Sequence, residues 1–192
     1  MYVQKNHTGS QSLNAFFFVI FLFFLLPCSV FAQSNSAKGA GRQTALRCLQ
    51  LAKDYINKSE WSSADPQIEL GLAYDGTVSD LWYLKAVVKA HENAAKAEIL
   101  PLVQHALAME DWVDYNRSSA RILYADILSD TGFYDQALSV LDGQPFLYSA
   151  DAEYIRVKSY YRLHTDESNA KARDKIDAVR RIYPSDSRFA RL

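Results

Sequence analysis

At 192 residues, with 49% apolar and 22% charged side chains, the chain is long enough and apolar enough to bury a core, and a wholly disordered chain is excluded. Residues 1–32 hold one of the 21 basic residues and none of the 22 acids, so the remainder carries 20 against 22 and exerts no general pull on nucleic acid or acidic lipid. Seven glycines and five prolines suit a helical chain whose few breakers stand at element ends.

The chain begins with a polar stretch holding Lys5 and His7. Ala15 to Leu26 is then unbroken apolar sequence, followed by Pro27 and by Val30-Phe31-Ala32 ahead of Gln33. An apolar run this short, ending in compact residues at the −3 and −1 places, reads as a secretory signal peptide over residues 1–32, cut after Ala32. Two alternatives stay open. The run can remain uncut as an N-terminal anchor, or Leu25-Leu26-Pro27-Cys28 can serve as a lipidation box, for which Pro27 is a poor fit. The expected location is therefore exported, periplasmic or extracellular, with membrane attachment only through the N-terminus. If Cys28 leaves with the signal, Cys48 stands alone and no internal disulfide staples the mature chain. Cys48 falls in an apolar helical pattern, so it reads as a small buried hydrophobe.

Gln33 to Gly41 is small and polar and reads as a flexible leader. From about Arg42 to Lys58, the residues Ala45, Leu46, Leu49, Ala52, Tyr55 and Ile56 recur at helical spacing. Ser59 to Ala64 breaks the pattern. A second helix is expected near Asp65 to Asp75, with Pro66 in its first turn, where a missing N–H costs nothing; mid-helix kinks at Pro66 and Pro101 are the alternative. Asp80 to His91 is a third helix, capped by Ser79 or Asp80. Leu100 to Glu110 is a fourth, with Pro101 in the place of Pro66. Asn116 to Asp130 and Tyr134 to Asp142 follow around Gly132, which is suited to a left-handed helix stop. Gly143 and Pro145 end the second of these. A last pair runs from about Ser149 to His164 and from Glu167 to Ile182, and after Tyr183-Pro184-Ser185-Asp186 the residues Ser187 to Leu192 begin another turn. Continuation beyond Leu192 is the favoured expectation, and a short tail that lids the last helix pair poorly is the alternative.

The helices repeat. Asp65-Pro66-Gln67-Ile68-Glu69-Leu70-Gly71-Leu72-Ala73 lies over Leu100-Pro101-Leu102-Val103-Gln104-His105-Ala106-Leu107-Ala108 at an offset of 35, and Ala172 stands 35 after Ala137. Asp111 to Tyr115 is an insertion relative to this period. The bend Thr131-Gly132-Phe133-Tyr134-Asp135-Gln136-Ala137-Leu138 carries a G-x-Y-D-x-A-L spacing, and Trp61 and Ala64 echo Tyr134 and Ala137. With a period near 34, residues 42–192 resemble a tetratricopeptide repeat (TPR) array of about four helix pairs, an all-α solenoid with a right-handed superhelical twist. The second bend departs from the pattern, with Glu92-Asn93-Ala94-Ala95 in place of an aromatic, and the fourth has extra residues at Thr165-Asp166-Glu167. A generic array of helical hairpins is the competing architecture.

The resemblance implies a concave groove, lined by the first helix of each pair, that takes a protein or peptide ligand. Carried onto this sequence, the groove positions are Leu49, Lys53 and Asn57; Tyr83, Val87 and His91; Ile122, Asp126 and Asp130; and Ile155, Ser159 and Arg162. They do not reproduce the Lys, Asn and Arg set with which some members of the family clamp a C-terminal carboxylate. No enzyme constellation is legible. His91-Glu92 lacks a second His four positions on, there is no G-x-S-x-G or phosphate loop, and His91, His105 and His164 fall on separate helices or helix ends. The reading is a non-enzymatic exported adaptor, with no cofactor, no metal and no nucleic acid, acting in cell-envelope assembly. The alternative is the helical N-terminal domain of a larger cell-wall enzyme resembling lytic transglycosylases. In a eukaryotic host, Asn57-Lys58-Ser59 and Asn116-Arg117-Ser118 would be glycosylation acceptors.

Overall fold

The computed structural model describes residues 27–142 and 149–192, with side chains from Gly39 onward. Residues Thr44–Leu192 form one compact unit, to which the paired helices belong. The helices are α1 (Pro27–Asn57), α2 (Trp61–Tyr74), α3 (Ser79–His91), α4 (Lys96–Ala108), α5 (Arg117–Asp130), α6 (Tyr134–Leu141), α7 (Ala150–Leu163), α8 (Asp166–Ile182) and the single turn α9 (Ser187–Ala190). Among the described residues there is no strand. Contacts run between successive helices and between α5 and α7, the first helices of neighbouring pairs.

The expected signal segment lies, up to Leu26, outside the described residues. Helix α1 begins at Pro27, well before Arg42, so the stretch expected to be a loose leader has helical backbone. Its Ser, Gln and Ala residues permit this, and Gly39 and Gly41 only weaken it, by about 1 kcal/mol each. No described helix is long and apolar enough to cross a membrane.

Within pairs, the turn chemistry repeats more faithfully than the sequence does. Gly132 has φ +88°, and the amides of Phe133 and Gly132 reach back to the carbonyls of Leu128 and Ser129 at 2.9 and 3.3 Å. This is the double bond of a Schellman stop. Ser59 (φ +62°) and Asn93 (φ +57°) hold the same place, with Glu60 bonded to Tyr55 at 2.8 Å and Ala94 to Lys89 at 3.0 Å. The second bend therefore keeps the geometry of the Gly132 stop without the aromatic, because an asparagine tolerates the left-handed region. At Ser59 a side chain bears the strain that Gly132 avoids. Ser59→Gly is expected to raise stability by about 1 kcal/mol, read as a shift in urea midpoint at unchanged slope.

The second helices start immediately after these stops, and this corrects the placement of the prolines. Pro66 and Pro101 lie inside α2 and α4, well beyond the first turn, because the helices already begin at Trp61 and Lys96. Each proline forfeits one interior helix bond at the same place in its repeat. Behind them runs a repeated column of buried residues, Ala64 and Ile68, Ile99 and Val103, Ala137 and Leu141, Ala172 and Ile176, all 4% exposed or less. Neighbouring helices close on that column. At Gly71 an added Cβ would stand 2.9 Å from Leu81 Cδ1 and 3.2 Å from Cys48 Cβ, so α1, α2 and α3 meet there without room for a side chain. Cys48 is buried, and burial pushes its thiol pKa up.

Candidate functional site

Helix α5 opens with Asn116, whose side chain accepts the Ser119 amide at 3.0 Å, and α7 opens with Ser149, which accepts that of Ala152 at 3.1 Å. These caps fix where each helix starts and so which residues share a face. Between the two helices lies a cavity of about 290 Å³ lined by Tyr83 of α3, Ile122, Leu123 and Asp126 of α5, and Tyr154 and Ile155 of α7. Ser119 and Asp151 stand at its rim with Arg188 of α9. Apart from Arg188, every lining residue comes from the first helix of a pair.

Four of the residues placed on the groove by sequence, Tyr83, Ile122, Asp126 and Ile155, are brought together here. Asp130 stands one turn from Asp126 and pairs with Lys158 at 2.5 Å and Lys96 at 3.3 Å. Lys158 is also 3.7 Å from Asp126. Burial, reinforced by the charge of Asp130, pushes the Asp126 carboxyl above its ordinary value. At Asp130 burial acts the same way, but the hydrogen bonds and charges of Lys158 and Lys96 together outweigh it and hold the carboxyl low.

The others are elsewhere. Leu49 and Ser159 are fully buried. Leu49 belongs to the core shared by α1, α2 and α3, and the Ser159 hydroxyl lies 3.0 Å from that of Ser129 where α5 and α7 cross. Neither presents a side chain to a ligand. In α7 the face toward the cavity is Asp151, Tyr154 and Ile155, about one turn nearer the helix start than the expected Ile155, Ser159 and Arg162 series. The signal for that shift was the Ser129 and Ser159 pair, two small residues that allow a close crossing. Val87 is half-buried, and Asn57 and Arg162 are exposed at the ends of their helices. His91 stacks on Trp61 with ring centroids 3.9 Å apart.

Lys53 is engaged by the insertion at residues 111–115. Its ammonium lies 2.7 Å from Asp114, which also accepts from Gln50, and 5.7 Å from the Tyr115 ring centroid. The hydrogen bond from Lys53 holds the Asp114 carboxyl below its ordinary value despite partial burial. Trp112 and Tyr115 both pack on Tyr83, at 6.4 and 5.1 Å between centroids. The insertion thus lies across the first-helix face from α1 to α3, leaving the cavity between α3, α5 and α7 uncovered. It also corrects the expected cap of α3. The N-cap is Val78, without a side-chain bond, while Ser79 and Asp80 turn to the insertion. The Asp80 carboxylate accepts the amides of Val113, Asp114 and Tyr115 at 2.8, 2.9 and 2.6 Å.

No family model matches the sequence. None of the curated proteins matches it either. A solved structure does: the chain is similar to YrrB, a TPR protein with an unusual peptide-binding site, with a TM-score of 0.60 and 21% identity over 85% of this chain and 86% of that one. The fold is a TPR solenoid. In that frame α1 with α2, α3 with α4, α5 with α6 and α7 with α8 are the helix pairs, and α9 follows the last of them.

Proposed function

We propose that the protein is an exported, non-enzymatic TPR scaffold that binds a peptide segment of a partner protein along the face formed by its first helices, in assembly of the cell envelope. One observation carries the binding reading: the cavity of about 290 Å³ on that face, with an apolar floor of Ile122, Leu123 and Ile155 and acids at Asp126 and Asp151. Apolar anchors beside a few fixed charges are what orient a bound chain. The peptide-binding site of the similar YrrB favours the same use of the fold. Export rests on the sequence of residues 1–32, where the apolar run and its flanks have the form of a cleaved leader.

The test places a photo-crosslinking residue at Ser119, on the rim of the cavity, or at Leu70, 45% exposed on α2. Adducts formed in the native host by the Ser119 variant and absent from the Leu70 variant support the reading. Identical adducts from both positions, or none from either, remove it. Mass spectrometry of the mature chain is expected to find Gln33 at its start, and an intact Met1 would remove the cleaved-leader part.

A further inference from the structure

The cavity wall already carries an arginine in contact with Asp151 and Tyr154. Arg188 enters from α9 and donates to Asp151 Oδ1 at 2.7 Å, and its guanidinium carbon lies 5.1 Å from the Tyr154 ring centroid. Asp186 holds the guanidinium from its own side, with Nη2 2.7 Å from Oδ2. A planar guanidinium laid on an aromatic face and paired to a carboxylate is an arrangement that lysine or a neutral side chain cannot reproduce. The opposite wall adds Asp126. Lys158 sits 2.5 Å from Asp130 but 3.7 Å from Asp126, so Asp126 is the less neutralised of the two acids. Asp126 and Asp151 leave the lining acidic once Arg188 is withdrawn.

The end of the array is fastened independently of the Arg188 side chain. What fastens α9 is Phe189, 1% exposed and packed between Tyr154 and Tyr183 with centroids 6.1 Å from each. Arg180 adds a bond to the Phe189 carbonyl at 3.0 Å. The Arg188 side chain, by contrast, is 42% exposed and held only by ion pairs and the ring.

We propose that Arg188 is an internal stand-in for the ligand, and that the pocket at Asp151 and Tyr154 takes an arginine side chain of the partner peptide, flanked by an apolar residue seated on Ile122 and Ile155. This rests on the peptide-binding reading and adds to it the chemistry of the bound residue and a competitor built into the chain. A site occupied by its own chain binds a partner more weakly by the fraction of time it is open. The partner must therefore displace Arg188.

The experiment uses the full chain and three fluorescein-labelled peptides, Gly-Ser-Gly-Leu-Arg-Leu-Gly-Ser-Gly and its Gln and Glu counterparts at the central place, read by polarisation at low salt. Arg188→Gln is expected to bind the Arg peptide about tenfold more tightly than the unaltered protein does, and the Gln peptide no more tightly. Asp151→Asn, at an exposed first-turn position that keeps the fold, is expected to weaken the Arg peptide and, combined with Arg188→Gln, to abolish the gain. Equal gains for all three peptides, or no gain for the Arg peptide with an unchanged melting curve, overturn the arginine pocket and leave peptide binding standing. Failure of every peptide to bind every variant removes both.

Discussion

Asp80→Ala is expected to lower stability by about 3 kcal/mol and to strip protection from the amides of residues 113–115, measured by urea unfolding and hydrogen exchange. The residue is completely buried and sits in the first turn of α3, where a negative charge is favoured. Its two oxygens take three amides from a segment more than thirty residues later in the chain. Removing them leaves three donors facing a void, and each buried unmet donor costs about 1–3 kcal/mol, less whatever relaxation lets water reach them. Asp80→Asn keeps shape and one acceptor but aims an NH2 group at donors, so its cost should fall between wild type and Ala. The Ala variant should also free Lys53 and Gln50, since Asp114 is placed by the same clamp. Unchanged unfolding with residues 113–115 still protected would mean that the aromatic contacts of Trp112 and Tyr115 alone hold the insertion.

The second large effect is expected in α7. Arg156→Ala should destabilise by about 3–4 kcal/mol, because it strands a buried carboxylate. The Arg156 and Glu153 side chains are each 9% exposed and 2.5 Å apart. Nη2 of Arg156 also donates to the carbonyl of Leu141 at 2.8 Å, capping a helix only eight residues long at the end where its carbonyls lack partners. Lys175, 3.1 Å from Glu153, is 32% exposed and offers the stranded acid an imperfect substitute. Glu153→Leu with Arg156→Met should cost about 1 kcal/mol or less, since removing both charges removes both desolvation penalties. A double variant as unstable as the single one would show that the carbonyl cap, and not the unpaired charge, accounts for the loss.

Much of this architecture is legible along the chain. The 35-residue offset aligns Ala172 with Ala137, the shared bend spacing adds Ala64 to the same buried column, and Gly132 is the left-handed stop that its place between two helices predicts. Ser59 and Asn93 in the same backbone state were not legible, because neither residue demands it. There the backbone bonds from Glu60 to Tyr55 and from Ala94 to Lys89 close the stop whatever the side chain. The prolines misled for a related reason. First-turn tolerance is a preference of the isolated helix, and packing of Trp61 and the column behind it overrode that preference at Pro66. On the candidate site, the α5 residues Ile122 and Asp126 were found because the resemblance to the repeat family carries its groove positions onto the first helix of each pair, and α5 keeps that register. Helix α7 is covered on several sides, with Val157, Ser159 and the Arg156 pair all buried, and its pattern has no single stripe from which to count.

By itself the sequence determined the helix pairs, their spacing and the residues that shield one another between them, because those depend on periodicity and turn chemistry within a few residues of each position. Tertiary structure alone decided where the 111–115 insertion settles, that Asp80 is its clamp, and that Arg188 reaches Asp151 and Tyr154. These partners stand thirty or more residues apart in the chain, and no local pattern encodes which of several exposed acids a long flexible cation will find.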